Sequence, residues 1–370
     1  MNKLLKLMRF KVLDAYLIQK YLGAFFFTMM IFTMLSMAFD FSDKIQTFIE
    51  GPVTLKNILI DYYPGFILHI SGLIMPIYTM ISVVFFTSRL AFNAEILSIL
   101  NAGVSFQRLL RPYLIAGGFI ALFHLSLSHF LIPQFNKSRL WFEHTFVWKD
   151  QLKVKNSSVH VLLSPNTKAF VRSYNKDEKK ISGLRLEHFD GRIVSSILEA
   201  ENAVWKPELG KWQLQNYRIR NIDGLRESLQ QPRGPIDTTL NLFPEDFVYY
   251  HNQNEEMTTP ELYSAIRRDE SRGLTTSSKA YRIEMSRRTA DAFTNIILTI
   301  IGLALAGRKS RGGMGLHLAL AIGIGCAFVL LSKFSNSFAA GGVLAPELAM
   351  WIPNMVFMVI ALYLAMRAQK

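Results

Sequence analysis

The stretch ADAFTNIILTIIGLALAGRKS, residues 290–310, decides between two fold classes. Its last residues resemble a phosphate-binding loop, but that loop requires Lys directly after its second Gly, and here Arg308 follows Gly307. A phosphate-binding loop also follows a buried strand, whereas the residues before Gly307 form an apolar run about long enough to cross a bilayer as a helix. The stretch therefore predicts a membrane span followed by basic residues, and it argues against a nucleotide site.

The composition of the whole chain is typical of a membrane protein. Half of the 370 residues are hydrophobic and 12% are aromatic, which is more apolar surface than one soluble core needs. Six stretches are long enough and poor enough in charge to span a bilayer: 20–39, 65–87, 113–132, 290–306, 316–337 and 348–366. The fourth is the weakest of these predictions, because Asp291, Thr294 and Asn295 interrupt its apolar run.

The basic residues that give the chain its net charge of +13 lie beside alternate spans. They lie before the first span (Lys3, Lys6, Arg9 and Lys11), around the loop between the second and third spans (Arg89, Arg108 and Arg111), in the loop between the fourth and fifth (Arg308, Lys309 and Arg311), and at the end of the chain (Arg367 and Lys370). The opposite loop FAAGGVLAPE, residues 338–347, has no basic residue. By the positive-inside rule, this pattern predicts that both termini are cytoplasmic. The charges do not form the separate basic stripe with stacking aromatics that is typical of nucleic-acid binding.

Residues 133–279 have a different pattern, in which apolar and polar residues alternate as they do in strands. VHVLL, ISGLRLEHF and WQLQNYRI show this alternation, and turn sequences such as NKDEKK and NIDG separate them. Short strands at regular spacing predict an antiparallel, jelly-roll-like all-β domain, which the topology would place outside the cytoplasm. After it, TTPELYSAIRR predicts a helix with Thr259 as N-cap, Pro260 in the first position and Glu261 near the start.

The predicted fold is therefore an α-helical polytopic membrane protein of three plus three spans with an inserted all-β domain. We expect an N-terminal membrane half in residues 1–132, the β domain and its trailing helix in 133–279, and a C-terminal membrane half in 280–370. The N-terminal apolar stretch is longer than the core of a usual signal peptide, so we expect it to remain as the first span.

No set of catalytic or metal-binding residues is recognisable in the sequence. His124 and His129 are five residues apart and so lie on different faces of a helix, and His69 is solitary. Cys326, the only cysteine, cannot form an intramolecular disulfide and is interpreted as a small packing residue. The sequence predicts neither an enzyme nor a metal or cofactor bound by this chain. Any energy from ATP would be supplied through another subunit.

The segment FTSRLAFNAEILSILNAGVSFQRLLRP, residues 86–112, connects the second and third predicted spans. Its pattern is helical, with Ile96, Leu97 and Leu100 apolar, and Gly103 provides a helix stop. Glu95 is almost the only acidic residue among several basic ones. The residues alone leave two interpretations open: a helix that docks into the groove of a soluble ATPase, or an amphipathic helix that rests on the membrane surface.

Arg89 and Leu90, then Glu95, a hydrophobic pair and Gly103 form a pattern that resembles the coupling helix of the lipopolysaccharide export permeases, the LptF/LptG (YjgP/YjgQ) family. Further motifs in family order extend the resemblance over nearly the whole chain: VLDAYL at 12–17, IPQ at 132–134, YRIEMSRR at 281–288 and LAPELAMWIPN at 344–354. The resemblance implies an ATPase-coupling helix at about 89–103, with Arg89, Glu95, Leu97 and Gly103 as its coupling residues.

The same resemblance implies a permease subunit of an ABC transporter in the inner membrane of a Gram-negative bacterium. Such a subunit extracts lipopolysaccharide from the outer leaflet and passes it to a periplasmic bridge toward the outer membrane. The implied partners are a homologous permease half, an LptB-type ATPase dimer that binds ATP and Mg²⁺, and an LptC-type periplasmic β-jelly-roll protein. Two other classes stay open: a lipoprotein-release permease, which normally has its large outer domain after the first span, and a non-transporting membrane scaffold, which needs no docking helix.

The candidate lipid contacts differ from the family pattern at the end of the first span. Family members often have Lys or Arg there, whereas this chain has Asp40 and Asp43, with Lys44 as the only basic residue. The two aspartates form either a solvated pair or a site at which a divalent cation bridges to phosphate. Basic side chains at headgroup depth bind phosphate through charge-assisted hydrogen bonds. The predicted lipid contacts are Lys44, Arg139, Arg282, Arg287, Arg288 and Lys333.

Overall fold

The computed structural model describes residues 12–147, 157–176, 178–247, 253–307 and 313–368. These residues divide into two compact units. The helical unit contains the described residues up to Val147, together with Asn254–Leu262 and those from Lys279 onwards. The β unit contains the described residues of the intervening stretch up to Gln253, together with Tyr263–Ser278.

Six helical segments in the described residues are long and apolar enough to cross a membrane, judged by length and composition. In chain order these spans are Val12–Glu50, Asn57–Phe92, Phe106–Val147, Ser278–Ala306, Gly313–Ala340 and Pro346–Ala368. Three precede the β strands and three follow them, so the predicted fold class is confirmed. The helices continue beyond the predicted apolar runs because polar residues extend them past the hydrocarbon layer.

Two of the six spans, the second and the third, are built from more than one helical element. The first is a single helix, α1 (Val12–Glu50), and the second is a π-helical turn (Asn57–Tyr62) followed by α2 (Tyr63–Phe92). A short helix, α3 (Glu95–Asn101), leads to the third span, which comprises α4 (Phe106–Ser126), a π turn (Leu127–Leu131), α5 (Ile132–Phe142) and a second π turn (Glu143–Val147). Later in the chain come α6 (Gln253–Glu256), α7 (Thr259–Ser271), α8 (Thr275–Ala306), α9 (Gly313–Ala340) and α10 (Pro346–Ala368).

The polar residues that weakened the prediction of the fourth span are the residues that pack it. Thr294 Oγ1 donates to Asn354 Oδ1 on α10 at 2.7 Å, and Asn295 binds His124 at 3.0 Å and accepts from Thr79 Oγ1 at 2.8 Å. All four of these polar partners and Thr294 are nearly or fully buried. Inside a bilayer, helices associate through interhelical hydrogen bonds and small residues, because lipid tails are as apolar as the helices themselves. Polar residues therefore identify the packed face of this span.

The β unit is a single antiparallel sheet in which the first six strands lie side by side in chain order. The strands are β1 (Ser157–Ser164), β2 (Thr167–Asn175), β3 (Lys180–Asp190), β4 (Ile193–Lys206), β5 (Lys211–Asp223), β6 (Arg226–Gln230) and β7 (Ile236–Thr238). The seventh strand, β7, pairs with β5. Because β1 is first in the strand order and pairs with β2, it lies at one edge of the sheet. The antiparallel all-β insertion is confirmed, and its strand order is the simplest one that short turns allow.

The alternation of buried residues is interrupted at the same level of β3 and β5, the two strands that flank β4. Buried residues are three apart at Ile181 and Leu184 in β3 and at Leu214 and Tyr217 in β5. A left-handed residue lies within each interval, Gly183 with φ +74° in β3 and Asn216 with φ +49° in β5. Such a residue bends the strand and changes which side chains face the core. Both odd- and even-numbered residues of these strands consequently belong to one apolar core.

The start of α7 differs by one residue from its prediction. The backbone N–H and the hydroxyl of Thr258, not Thr259, donate to Glu261 Oε2, at 2.7 and 2.9 Å. A capping box requires Glu three residues after the cap, and Glu261 satisfies that spacing from Thr258. The helix therefore begins at Thr259, with Pro260 in its second position.

Candidate functional site

The α3 segment has a left-handed residue on each side. Ala94, with φ +59°, precedes the helix, and Gly103, with φ +83°, follows it. Gly103 directly follows Ala102, the C-cap of the helix, and glycine adopts this conformation there without steric cost. The chain thus enters and leaves α3 through sharp turns, and Gly103 ends the helix as the sequence predicts.

The side chains of α3 are divided between the helical unit and its surface. Ile96 is only 2% exposed and belongs to the main apolar core of the helical unit. Leu97 is 57% exposed, Leu100 is 36% exposed, and Arg89 at the end of α2 is also exposed. Glu95 is half-buried and accepts a hydrogen bond from Tyr16 Oη at 3.1 Å. One side of α3 is therefore anchored in the core, and the other presents apolar side chains at the surface.

Lys44 lies near the C-terminal end of α1 and is surrounded by acidic and aromatic groups. Its Nζ is 2.6 Å from Asp40 Oδ1 and 3.3 Å from Glu143 Oε1, and it also contacts Tyr62 Oη. The ammonium lies over the rings of Tyr62 and Phe66, at 4.6 and 5.7 Å from their centroids. The side chain is 12% exposed. In this conformation the charge of Lys44 is satisfied within the protein.

Arg139 joins this cluster through the same carboxylate. Its Nη1 is 3.3 Å from Glu143, its Nε donates to Asn136 Oδ1 at 2.6 Å, and Glu255 Oε2 lies 4.0 Å from Nη2. Arg139 is nearly buried. Burial raises the pKa of Glu255 above its ordinary value, and the nearby carboxylate of Glu284 raises it further. We call Asp40, Lys44, Tyr62, Arg139 and Glu143 the Lys44 cluster.

Arg287 and Arg288 form a second cluster on α8 with Glu284. Arg287 Nη2 is 2.7 Å and Arg288 Nε 2.8 Å from the two carboxylate oxygens of Glu284. Arg287 also lies 3.7 Å from Asp291. The side chain of Arg288 is 3% exposed and that of Arg287 is 28% exposed. Both charges are therefore compensated, but Arg287 can still be reached from outside.

Lys333 on α9 is the most accessible cation of this region. It is exposed and lines a small cavity of about 40 Å³ together with Arg287, Asp291, Asn336 and residues of α2 and α10. Within the residues that the structure describes, Lys333 makes no ion pair. The sixth candidate, Arg282, lies elsewhere on α8 and pairs with Glu347 on α10 at 3.1 Å, with both side chains well exposed.

These features were compared with known proteins. The sequence model of the family described as lipopolysaccharide export system permease LptF/LptG matches residues 15–367, nearly the whole chain. The chain belongs to this family. No curated protein matched the chain in a search of individual sequences. The resemblance inferred from the sequence motifs is thereby confirmed, and the LptF/LptG family is one of multi-pass transport permeases, not enzymes.

For this LptF/LptG permease, the structure brings the predicted lipid contacts together in two groups and leaves one apart. Lys44 and Arg139 share Glu143, and Arg287 lies beside Lys333, whereas Arg282 is separate. The coupling residues are all within or next to α3.

Sequence reasoning missed the acidic and aromatic partners of these cations. Glu284 could have been found, since it precedes Arg287 and Arg288 by three and four residues, a spacing that brings helical side chains together. Tyr62 and Glu143 gave no such signal, because they lie 18 and 99 residues from Lys44.

The histidines and aspartates of the LptF/LptG permease were also located. His124 contacts Asn295, and His129 contacts Thr259 Oγ1 at 2.8 Å, so the two histidines have separate partners. No group of His, Cys, Asp and Glu in the described residues could hold a metal ion. Both oxygens of Asp40 accept from Tyr62 Oη, at 2.8 and 2.9 Å, and Asp43 is exposed. Cys326 is exposed on α9 rather than packed in the core.

Proposed function

We propose that this LptF/LptG permease is one half of an ABC transporter that extracts lipopolysaccharide from the outer leaflet of the bacterial inner membrane. A homologous permease half completes the membrane channel, and an LptB-type ATPase dimer holds ATP and Mg²⁺ and drives the cycle. The observation that carries this proposal is α3, a short helix that Ile96 anchors and that leaves Leu97 and Leu100 exposed.

The size of α3 supports a docking role. A helix of seven residues is too short to be stable alone, so contacts with the rest of the unit must maintain it. Exposed apolar residues on a helix that is held in this way fit an apolar groove on a partner. The nearby cation Arg89 and the acid Glu95 would add electrostatic specificity to such an interface.

The two charged groups support binding of a phosphorylated lipid. Phosphate oxygens accept charge-assisted hydrogen bonds that are about twice as strong as neutral ones. Lys333 is available for such a bond, with Arg287 at the same cavity. Lys44 and Arg139 are held by carboxylates, so phosphate would have to replace Glu143 as their partner.

The β unit supports transfer of the lipid. Its inward side chains form an apolar core that could receive acyl chains, which would otherwise be exposed to water. β1 lies at an edge of the sheet, and an LptC-type β domain could add a strand there. In this arrangement α3 and both termini are cytoplasmic, and the β unit is periplasmic.

Charge reversal of Glu95 tests the proposal. In Glu95→Lys we expect the ATPase to be lost on purification of the complex, since like charges at a close interface cost several kcal/mol. ATP-driven release of lipopolysaccharide from proteoliposomes should be lost as well. Glu50→Lys, the same change at an exposed residue of α1, is the control and should behave as the unmodified chain. Normal ATPase association in Glu95→Lys would show that α3 is not the docking element.

A further inference from the structure

Two polar contacts hold the α3 segment against the start of the first span. Asp14 accepts both arms of the Arg108 guanidinium, at 2.8 Å from Nη1 to Oδ1 and 2.7 Å from Nη2 to Oδ2. One further contact is made by Tyr16, whose hydroxyl donates to Glu95 Oε2 at 3.1 Å. Glu95 begins α3, and Arg108 lies in the first turn of α4. The two contacts therefore bracket the α3 segment from both sides.

The Asp14–Arg108 pair is more than a surface ion pair. The side chain of Asp14 is 3% exposed, and that of Arg108 is 30% exposed. Ser105 Oγ accepts the backbone N–H of Arg108 at 3.3 Å and so orients the first turn of α4. A two-armed guanidinium bond has a defined direction that Lys cannot reproduce. If Arg108 were lost, the buried carboxylate of Asp14 would lose this two-armed bond, which is costly.

The α3 segment can tilt at its two ends while Ile96 stays in the apolar core. Its two left-handed residues, Ala94 and Gly103, allow the chain to turn at each end of the helix. A Cβ at Gly103 would meet no other atom within 4 Å, so the surroundings leave space there. The contacts of Tyr16 with Glu95 and of Asp14 with Arg108 join both ends of this segment to α1.

The first span is suited to transmit that movement. α1 is one continuous helix from Val12 to Glu50, and no Pro interrupts it. At about 1.5 Å per residue, Asp14 and Lys44 are roughly 45 Å apart along this helix. Only 11% of its most apolar stretch is buried, the lowest value of the six spans, against 61% for the second and fourth. Contacts on one face hold its middle part, including the Tyr21–Thr299 and Thr33–Ser71 hydrogen bonds, and the rest of its surface is exposed within this chain.

We propose that Asp14 and Arg108 are positioning residues that make the first span a lever. When the ATPase displaces α3, the Asp14–Arg108 pair forces the N-terminal end of α1 to follow. The movement then reaches the Lys44 cluster at the C-terminal end of this helix. This inference rests on the proposed function, in which α3 docks on the ATPase. The pair couples ATP hydrolysis to lipid release, and it takes no part in ATPase binding.

The experiment uses Asp14→Asn and Arg108→Lys in the reconstituted complex. Both variants should retain the ATPase and hydrolyse ATP, while lipopolysaccharide released per ATP falls at least about fivefold, the lower end of usual coupling free energies. Glu50→Gln, the same loss of charge at an exposed residue of the same helix, should leave this ratio unchanged. An unchanged ratio in both test variants would overturn the lever.

A covalent link separates positioning from simple loss of folding. Asp14→Cys with Arg108→Cys, in a Cys326→Ala background, should be uncoupled until a short bismaleimide joins the two cysteines, and the link should then restore release per ATP. A linked complex that keeps its ATPase but stays uncoupled would overturn the inference. Retention of the ATPase by Glu95→Lys is a different result, which would contradict the docking of α3 and remove the lever with it.

Discussion

Carboxylates determine which basic side chains are available to an anionic ligand. Glu284 binds two arginines of its own helix, and Glu143 is shared by Lys44 and Arg139. A phosphate must compete with these carboxylates, and a buried pair loses much when one partner leaves. Lys333 is exposed instead, and in the described ranges of the chain no carboxylate pairs with it. Of the predicted lipid contacts, Lys333 is the one that a lipid phosphate can bind without displacing a carboxylate.

Lys333→Ala should reduce lipopolysaccharide capture in the reconstituted complex. If the lost contact contributes about 1–2 kcal/mol, photo-cross-linking to the lipid should fall roughly 5- to 30-fold at limiting lipid. Lys333→Arg should retain capture, because it keeps the charge. Lys56→Ala removes another exposed lysine outside this cavity and should have little effect. An equal loss in Lys56→Ala would attribute capture to general surface charge, and unchanged capture in Lys333→Ala would assign the phosphate contacts to the partner half.

At the scale of elements, the start of α7 depends on an ionised carboxylate. Burial by itself would raise the pKa of Glu261, but hydrogen bonds from Thr258 and Lys137 outweigh this effect and lower it below its ordinary 4.5. A lowered pKa in the folded state stabilises the helix start above pH 4.5, and this contribution is lost as pH falls through the folded pKa.

Glu261→Gln should therefore destabilise the first turn of α7 by about 0.5–2 kcal/mol near neutral pH, the usual range for a capping residue. Hydrogen exchange of the Thr258 and Leu262 amides, which donate to Glu261 Oε2 and to Thr258 O, should differ between the two proteins at pH 7 and converge in acid. Glu208→Gln, an exposed turn residue, is the control. A difference that persists unchanged into acid would contradict the ionic origin of the cap.

The edge strand β1 has two faces with different surroundings. Val161 and Leu163 pack with the apolar core, whereas Leu162 points to the other side, near Gly273. Photo-reactive residues at 161 and 163 should label lipid in the working transporter, and one at 162 should not. The reason is that acyl chains gain stability only on the apolar face. Equal labelling from both registers would argue against conduction through this core.

At the scale of the whole molecule, the alternation of basic loops predicts one orientation in the membrane. Reporters fused after Met366 or within residues 308–312, which lie outside the described residues, should report the cytoplasm. Reporters within residues 165–190 should report the periplasm. The positive-inside bias supplies the physical reason. A cytoplasmic result for 165–190 would reverse the bundle and exclude a cytoplasmic ATPase at α3.

Much of this molecule could be predicted from sequence because the decisive signals are local. Apolar runs long enough for a bilayer specify the spans, alternation specifies the β insertion, and Gly103 ends α3 where its left-handed backbone is needed. Each of these signals lies within one element, and neighbouring residues are sufficient to produce it. Family membership followed from motifs of the same kind.

Tertiary structure decided which charges are compensated and which elements are tied together. Arg108 and Asp14 are 94 residues apart, and Glu143 is 99 residues from Lys44, so no local pattern indicates that these groups meet. The same holds for Asn295, which interrupts an apolar run in the sequence but is satisfied by His124 and Thr79 after packing. A buried polar group is stable only with a partner, and the partner is known only once the helices have assembled.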